Sequence, residues 1–180
     1  MVFNEIVGGW DIDVNTSGMP QTVATAMANL EILGATYTSI AYLGSQVVNG
    51  VKHAVLASQT ITDIKGTTNI VILEFLEKDG KTTLVSIDPV LSEGAQCGGT
   101  EIDVKTDIPK SLLLIFNKVM EGYVGSKVVP FAYLGSQVTT GVDYIFAATV
   151  TAVTPDADTT VSLVSVNPLT KEITFQTILG

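Results

Sequence analysis

Apolar positions three and four residues apart mark two helices in this chain. In Pro20 to Leu33, Val23, Met27 and Leu30 form one stripe, with Pro20 suited to the first helical position and Gly34 to the stop. Further on, Leu113, Phe116 and Met120 form a second stripe, with Asp107 as a cap, Pro109 as an opening and Gly122 as a close. The stretch after each helix favours strand, being rich in threonine, tyrosine and β-branched residues. The first set runs Thr36 to Val48, Val51 to Ile64, Asn69 to Glu77 and Thr82 to Ile87. The second runs Lys127 to Val138, Val142 to Val153, Thr159 to Asn167 and Ile173 to Leu179. Lys78-Asp79-Gly80-Lys81 contains the Asp-Gly pair of a tight hairpin, further turns fall at Pro155-Asp156 and Asn167-Pro168, and Asp88 to Gln96 reads as a linker. One helix followed by four antiparallel strands, twice, predicts an α+β chain in which each sheet lays one face on its helix.

The two halves are copies. Ala-Tyr-Leu-Gly-Ser-Gln-Val stands at Ala41 to Val47 and again at Ala132 to Val138, and the turn glycines Gly50 and Gly141 keep the same separation. Gly8-Gly9 and Ile12 to Val14 recur as Gly98-Gly99 and Ile102 to Val104. A repeat of about ninety residues is longer than a solenoid unit, so each copy is expected to be a small domain, at 1–91 and 92–180.

Charge narrows the chemistry. The 180 residues carry nine lysines, no arginine and eighteen acidic side chains, a net −9, which repels nucleic acid and supplies no bidentate fork for phosphate. At 46% apolar residues, core material is ample. No stretch reaches the roughly twenty apolar residues that span a bilayer, and Met1 to Glu5 does not begin an export signal, so a cytoplasmic protein without membrane contact is expected. The lone Cys97 is expected to be a buried or linker thiol. His53, the one histidine, is matched by Tyr144 in the second copy and reads as an exposed or core-satisfied imidazole. No catalytic constellation, no cofactor motif and no metal-loop spacing emerges, so no enzyme is expected.

A double glycine early in each copy, one helix, and the hairpins Gln46-Val47-Val48-Asn49-Gly50 and Gln137-Val138-Thr139-Thr140-Gly141 together resemble the cystatin and stefin family of cysteine-protease inhibitors. The absence of cysteine pairs is more like the disulfide-free stefins. The resemblance implies two tandem cystatin-like units, each one α-helix packed on a four- to five-stranded antiparallel β-sheet. It also implies a non-covalent wedge that blocks the cleft of a papain-like cysteine protease. Ile6, Val7, Gly8 and Gly9 would then be a trunk that turns away before the catalytic thiolate, and Gln46 to Gly50 a first binding hairpin. Trp10 would join the wedge or cover the open end of the sheet. Gly98, Gly99 and Gln137 to Gly141 are the second copy of the same elements.

That copy departs from the pattern. Thr139 replaces the second hairpin valine, and the trunk before Gly98 is Gln96-Cys97, tethered to the first unit. In both copies the second hairpin turn, Lys78 to Lys81 in the first and Asn167 to Glu172 in the second, lacks an aromatic contact. The first unit is therefore expected to be the better inhibitor. Two other readings stand beside this one: a non-inhibitory tandem scaffold or protein-binding module, and a small-ligand carrier or enzyme built between helix and sheet.

Overall fold

A computed structural model describes residues 9–94 and 98–180; Ile6, Val7, Gly8, Gln96 and Cys97 lie outside the described residues. The first half forms β1 (Asp11–Asn15), α1 (Gln21–Ala28), β2 (Ala35–Val48), β3 (Gly50–Ile61), β4 (Thr68–Lys78) and β5 (Lys81–Ser92). The second forms β6 (Thr100–Lys105), α2 (Lys110–Met120), β7 (Ser126–Thr139), β8 (Gly141–Ala152), β9 (Thr159–Val166) and β10 (Ile173–Leu179). Each half is a five-stranded antiparallel sheet, in the orders β1-β2-β3-β4-β5 and β10-β9-β8-β7-β6. No helix among the described residues is long and apolar enough to cross a membrane.

This corrects the expected class. The chain is mostly β, with 58% of residues in strands and 11% in helices, rather than an α+β pair of units each completed by a helix on its sheet. The physical reason lies in the central strands. Ala54-Val55-Leu56-Ala57 in β3 and Ile70-Val71-Ile72-Leu73 in β4 are buried without interruption, so both faces of the sheet are apolar. Successive side chains of a strand point to opposite faces, and one helix covers only one of them. The second face meets the other sheet: Leu43, Leu56 and Ile72 join Leu134, Ile145 and Leu163 in the largest buried cluster. The short helices lie on the far faces. Val23 of α1 packs with Val55, Leu73 and Phe75, and Phe116 of α2 packs edge-on against Phe146 with ring centroids 4.9 Å apart.

Local boundaries shift for local reasons. The first helix stops at Ala28 rather than Leu33: Asn29 N–H bonds back to Thr25, Leu30 N–H makes the shorter-range bond to Met27, and Leu33 is left fully exposed. Asp107 does not cap α2, because the capping position is Pro109 and no side chain bonds there. Strands β1 and β6, ahead of the four strands expected in each half, form one edge of their sheets, and β5 continues to Ser92, into the expected linker.

Candidate interaction edge

Within the first half, the described site residues expected from the sequence come together through strand register. Asp11 stands opposite Ser45 and Ile12 opposite Gly44, so Trp10 and Gly9 run back towards Gln46 and Val47. On the other side of that hairpin, Val51 pairs with Glu77, which sets the β4–β5 turn beside it. Asp79 and Gly80 form that turn in the left-handed conformation, at φ 52 and 72, as an Asp-Gly hairpin requires. Gly9-Trp10, Val47 to Gly50 and Lys78 to Lys81 thus occupy one end of the first sheet.

Gly50 is constrained twice. Its φ of +117 disfavours any L side chain, and a Cβ would stand 2.7 Å from the Glu77 carbonyl oxygen. The β2–β3 turn can therefore lie tightly against β4. At its tip Val47 is 66% exposed and Asn49 is exposed, while Gln46, Val48 and Gly50 are half-buried. Trp10 is half-buried and packs against the core between the sheets, which makes it a cover at the end of that core.

The second copy assembles in the same way with a different lock. Thr100 stands opposite Gln137, and Gln137 Nε2 donates to the Gly98 carbonyl at 2.9 Å, which ties the glycine pair to the hairpin. Val138, Thr139 and Thr140 are exposed; Gly141 is half-buried. Sequence reasoning placed a turn at Asn167 but missed its role. Asn167 is buried, and its Nδ2 donates to the Thr140 carbonyl at 2.9 Å and to Asp143 Oδ1 at 2.8 Å, while its Oδ1 accepts from the Leu169 and Thr170 amides. One side chain holds both turns. An Asn at the start of an Asn-Pro turn is the available signal.

The two edges lie at different ends. Ile12, Asp13 and Val14 share a pocket of about 370 Å³ with Lys127, Val129, Thr151 and Thr159, at the end of the second sheet remote from Gly141. Roughly 33 Å of β7, ten residues at a strand's rise, separates Val129 from the second hairpin.

Beneath the first edge runs a polar chain that the sequence did not reveal, buried at Tyr42 and His53 and open to solvent at Glu77 and Thr22. His53 Nδ1 is 2.8 Å from the Tyr42 hydroxyl, its Nε2 is 2.8 Å from Glu77 Oε2, and Thr22 Oγ1 of α1 donates to the same carboxylate oxygen at 3.1 Å. The His53 bond, then the Thr22 bond, hold the Glu77 carboxyl below the usual glutamate range. Burial raises the Tyr42 phenol, against a hydrogen bond with Ser45. Among the two expectations for His53, the imidazole is the satisfied one: it is buried with both ring nitrogens partnered.

Among the described residues no group of three or more His, Cys, Asp or Glu side chains converges as metal ligands. An open groove of about 570 Å³ runs between α1 and the β4–β5 turn, lined by Thr22, Thr25, Leu30, Phe75, Thr82 and Leu84 among others. No family model, curated protein or solved structure matches the chain.

Proposed function

We propose that the first edge inserts into the active-site cleft of a papain-like cysteine protease and inhibits it without a covalent bond. The observation that carries the reading is the side-by-side placement of Gly9-Trp10, Val47 to Gly50 and Lys78 to Lys81, with Val47 as the exposed apolar tip. A narrow cleft is filled by such a row of tight turns with little rearrangement, and the hairpin offers no extended peptide to the thiolate. Titration of papain with the intact chain tests it: stoichiometric loss of activity is expected, relieved by Gly9→Glu. Full protease activity in about tenfold excess of the chain at micromolar concentration sinks the reading.

A second reading has its own support. The shared core fixes the two edges relative to one another, which suits a scaffold that holds two partners at different ends. Binding of an intact partner protein without protease inhibition would favour it.

A further inference from the structure

Four strands border the two sheets, and three of them carry features that discourage pairing with another chain. β1 has five residues and carries Asp11 and Asp13; β6 has six and carries Glu101, Asp103 and Lys105. β5 carries Asp88 and Pro89 and is broken by two register shifts against β4. Short length, charge, proline and irregularity are the devices by which sheet edges are kept apart.

The fourth, β10, carries neither charge nor proline. It reads Ile-Thr-Phe-Gln-Thr-Ile-Leu, and its central residues Thr174 to Thr177 are exposed. It pairs evenly with β9 from Ile173 to Thr177, its one register shift falling beyond that run, between Thr177 and Leu179, and among the described residues no strand lies on its other side. We propose that β10 is a pairing edge through which two copies of this chain join, antiparallel and about a twofold axis at Gln176, into one continuous sheet.

A second copy fits this edge for three reasons. The strand is compatible with itself: an axis at Gln176 sets Phe175 opposite Thr177, within the evenly paired run, and brings no charged side chain of β10 into the pairing, and twofold contacts are the usual geometry of homodimers. Two chains of net −9 repel, so they must meet where acids are sparse. Around Ile173 the charges balance, with Lys118 and Lys171 near Glu121 and neighbouring Glu172. Finally, Phe175 stacks on Tyr123 with centroids 5.4 Å apart while 39% and 37% of the two residues stay exposed. In the paired arrangement the two Phe175 rings are diagonal neighbours across the axis, and each covers its counterpart.

The strand is about 24 Å long, and its pairing buries less than the roughly 800 Å² per partner of a standard interface. The dimer is therefore concentration-dependent. Since β10 belongs to the second sheet and the proposed protease edge to the first, either proposal can fail alone.

Sedimentation velocity from about 5 µM to about 500 µM tests the pairing. A monomer-to-dimer transition is expected in that range. Phe175→Lys and Gln176→Lys, each placing a charge on the shared edge, should weaken it at least about tenfold, while Thr83→Lys on β5 leaves it unchanged. Hydrogen exchange on the unsubstituted chain gives an answer independent of any variant's folding: the Thr174 to Thr177 amides that face the open edge should gain protection with concentration. A chain that stays monomeric throughout, or a dimer that tolerates both lysines or leaves β10 amides unprotected, overturns the proposal.

Discussion

Gly44 lies directly beneath the carbonyl of Asp11, with no room for a Cβ between them, at φ +152. Gly135 meets Glu101 in the same way at φ +157. Both glycines sit at register shifts where the edge strand crosses. The glycine of the repeated heptad is thus a requirement of the fold. Gly44→Ala forces the edge strand off β2 and should destabilise the protein by about 3 kcal/mol in urea denaturation. Gly80→Ala, at φ +72 with open space around it, should lose only about 1 kcal/mol. Equal losses at the two sites would contradict the crowding argument.

The duplication, the strand-rich stretches and the Asp79-Gly80 turn were legible because each rests on local signals: identity, β-branched composition and a left-handed turn. The architecture was not. Ala54 to Ala57 and Ile70 to Leu73 are continuous apolar runs, the signature of a strand buried on both faces, yet the presence of a helix invites the assumption that one covered face is enough. Nor does local sequence disclose that Glu77 reaches His53, twenty-four residues away, or that Asn167 reaches Thr140. Such contacts depend on register, which is fixed only once the sheet is assembled.

Because the sheets share one core, damage on one side should be felt on the other. Leu56 is fully buried and meets side chains of the second sheet's cluster. Leu56→Ala should lower stability by about 3 kcal/mol and should speed hydrogen exchange in β8 and β9 as well as in β3. Faster exchange confined to the first sheet would mean that the halves are energetically separate.

The carboxylate under the first edge makes stability depend on acid pH. The folded Glu77 carboxyl lies below the ordinary glutamate value of 4.5, through its bonds with His53 and Thr22. Its contribution is therefore complete above that value and is lost as pH falls through the lower folded-state value. Glu77→Gln should reduce the denaturation midpoint near neutrality, and the gap to the unsubstituted protein should narrow in acid below the ordinary glutamate range. A gap that stays constant into acid would show that the charge is not what matters. Carbon-13 NMR of the Glu77 carboxyl gives the titration directly.

The two hairpins allow the proposed wedge to be tested within one molecule. Val47 and Val138 are similarly exposed, at 66% and 64%, so Val47→Asp and Val138→Asp should each leave stability unchanged within about 0.5 kcal/mol. Their effects on papain should differ. The first tip is followed by Val48, the second by Thr139 and Thr140, whose side chain and carbonyl are bonded by Asn167, so the second offers less apolar surface to a cleft. Val47→Asp should weaken inhibition about a hundredfold, the loss of a central contact, while Val138→Asp should change it less than about threefold. If Val138→Asp proves the more damaging, the second edge is the inhibitory one and Asn167 a preorganising clamp. If papain inhibition survives both substitutions, the cleft is not filled by either hairpin.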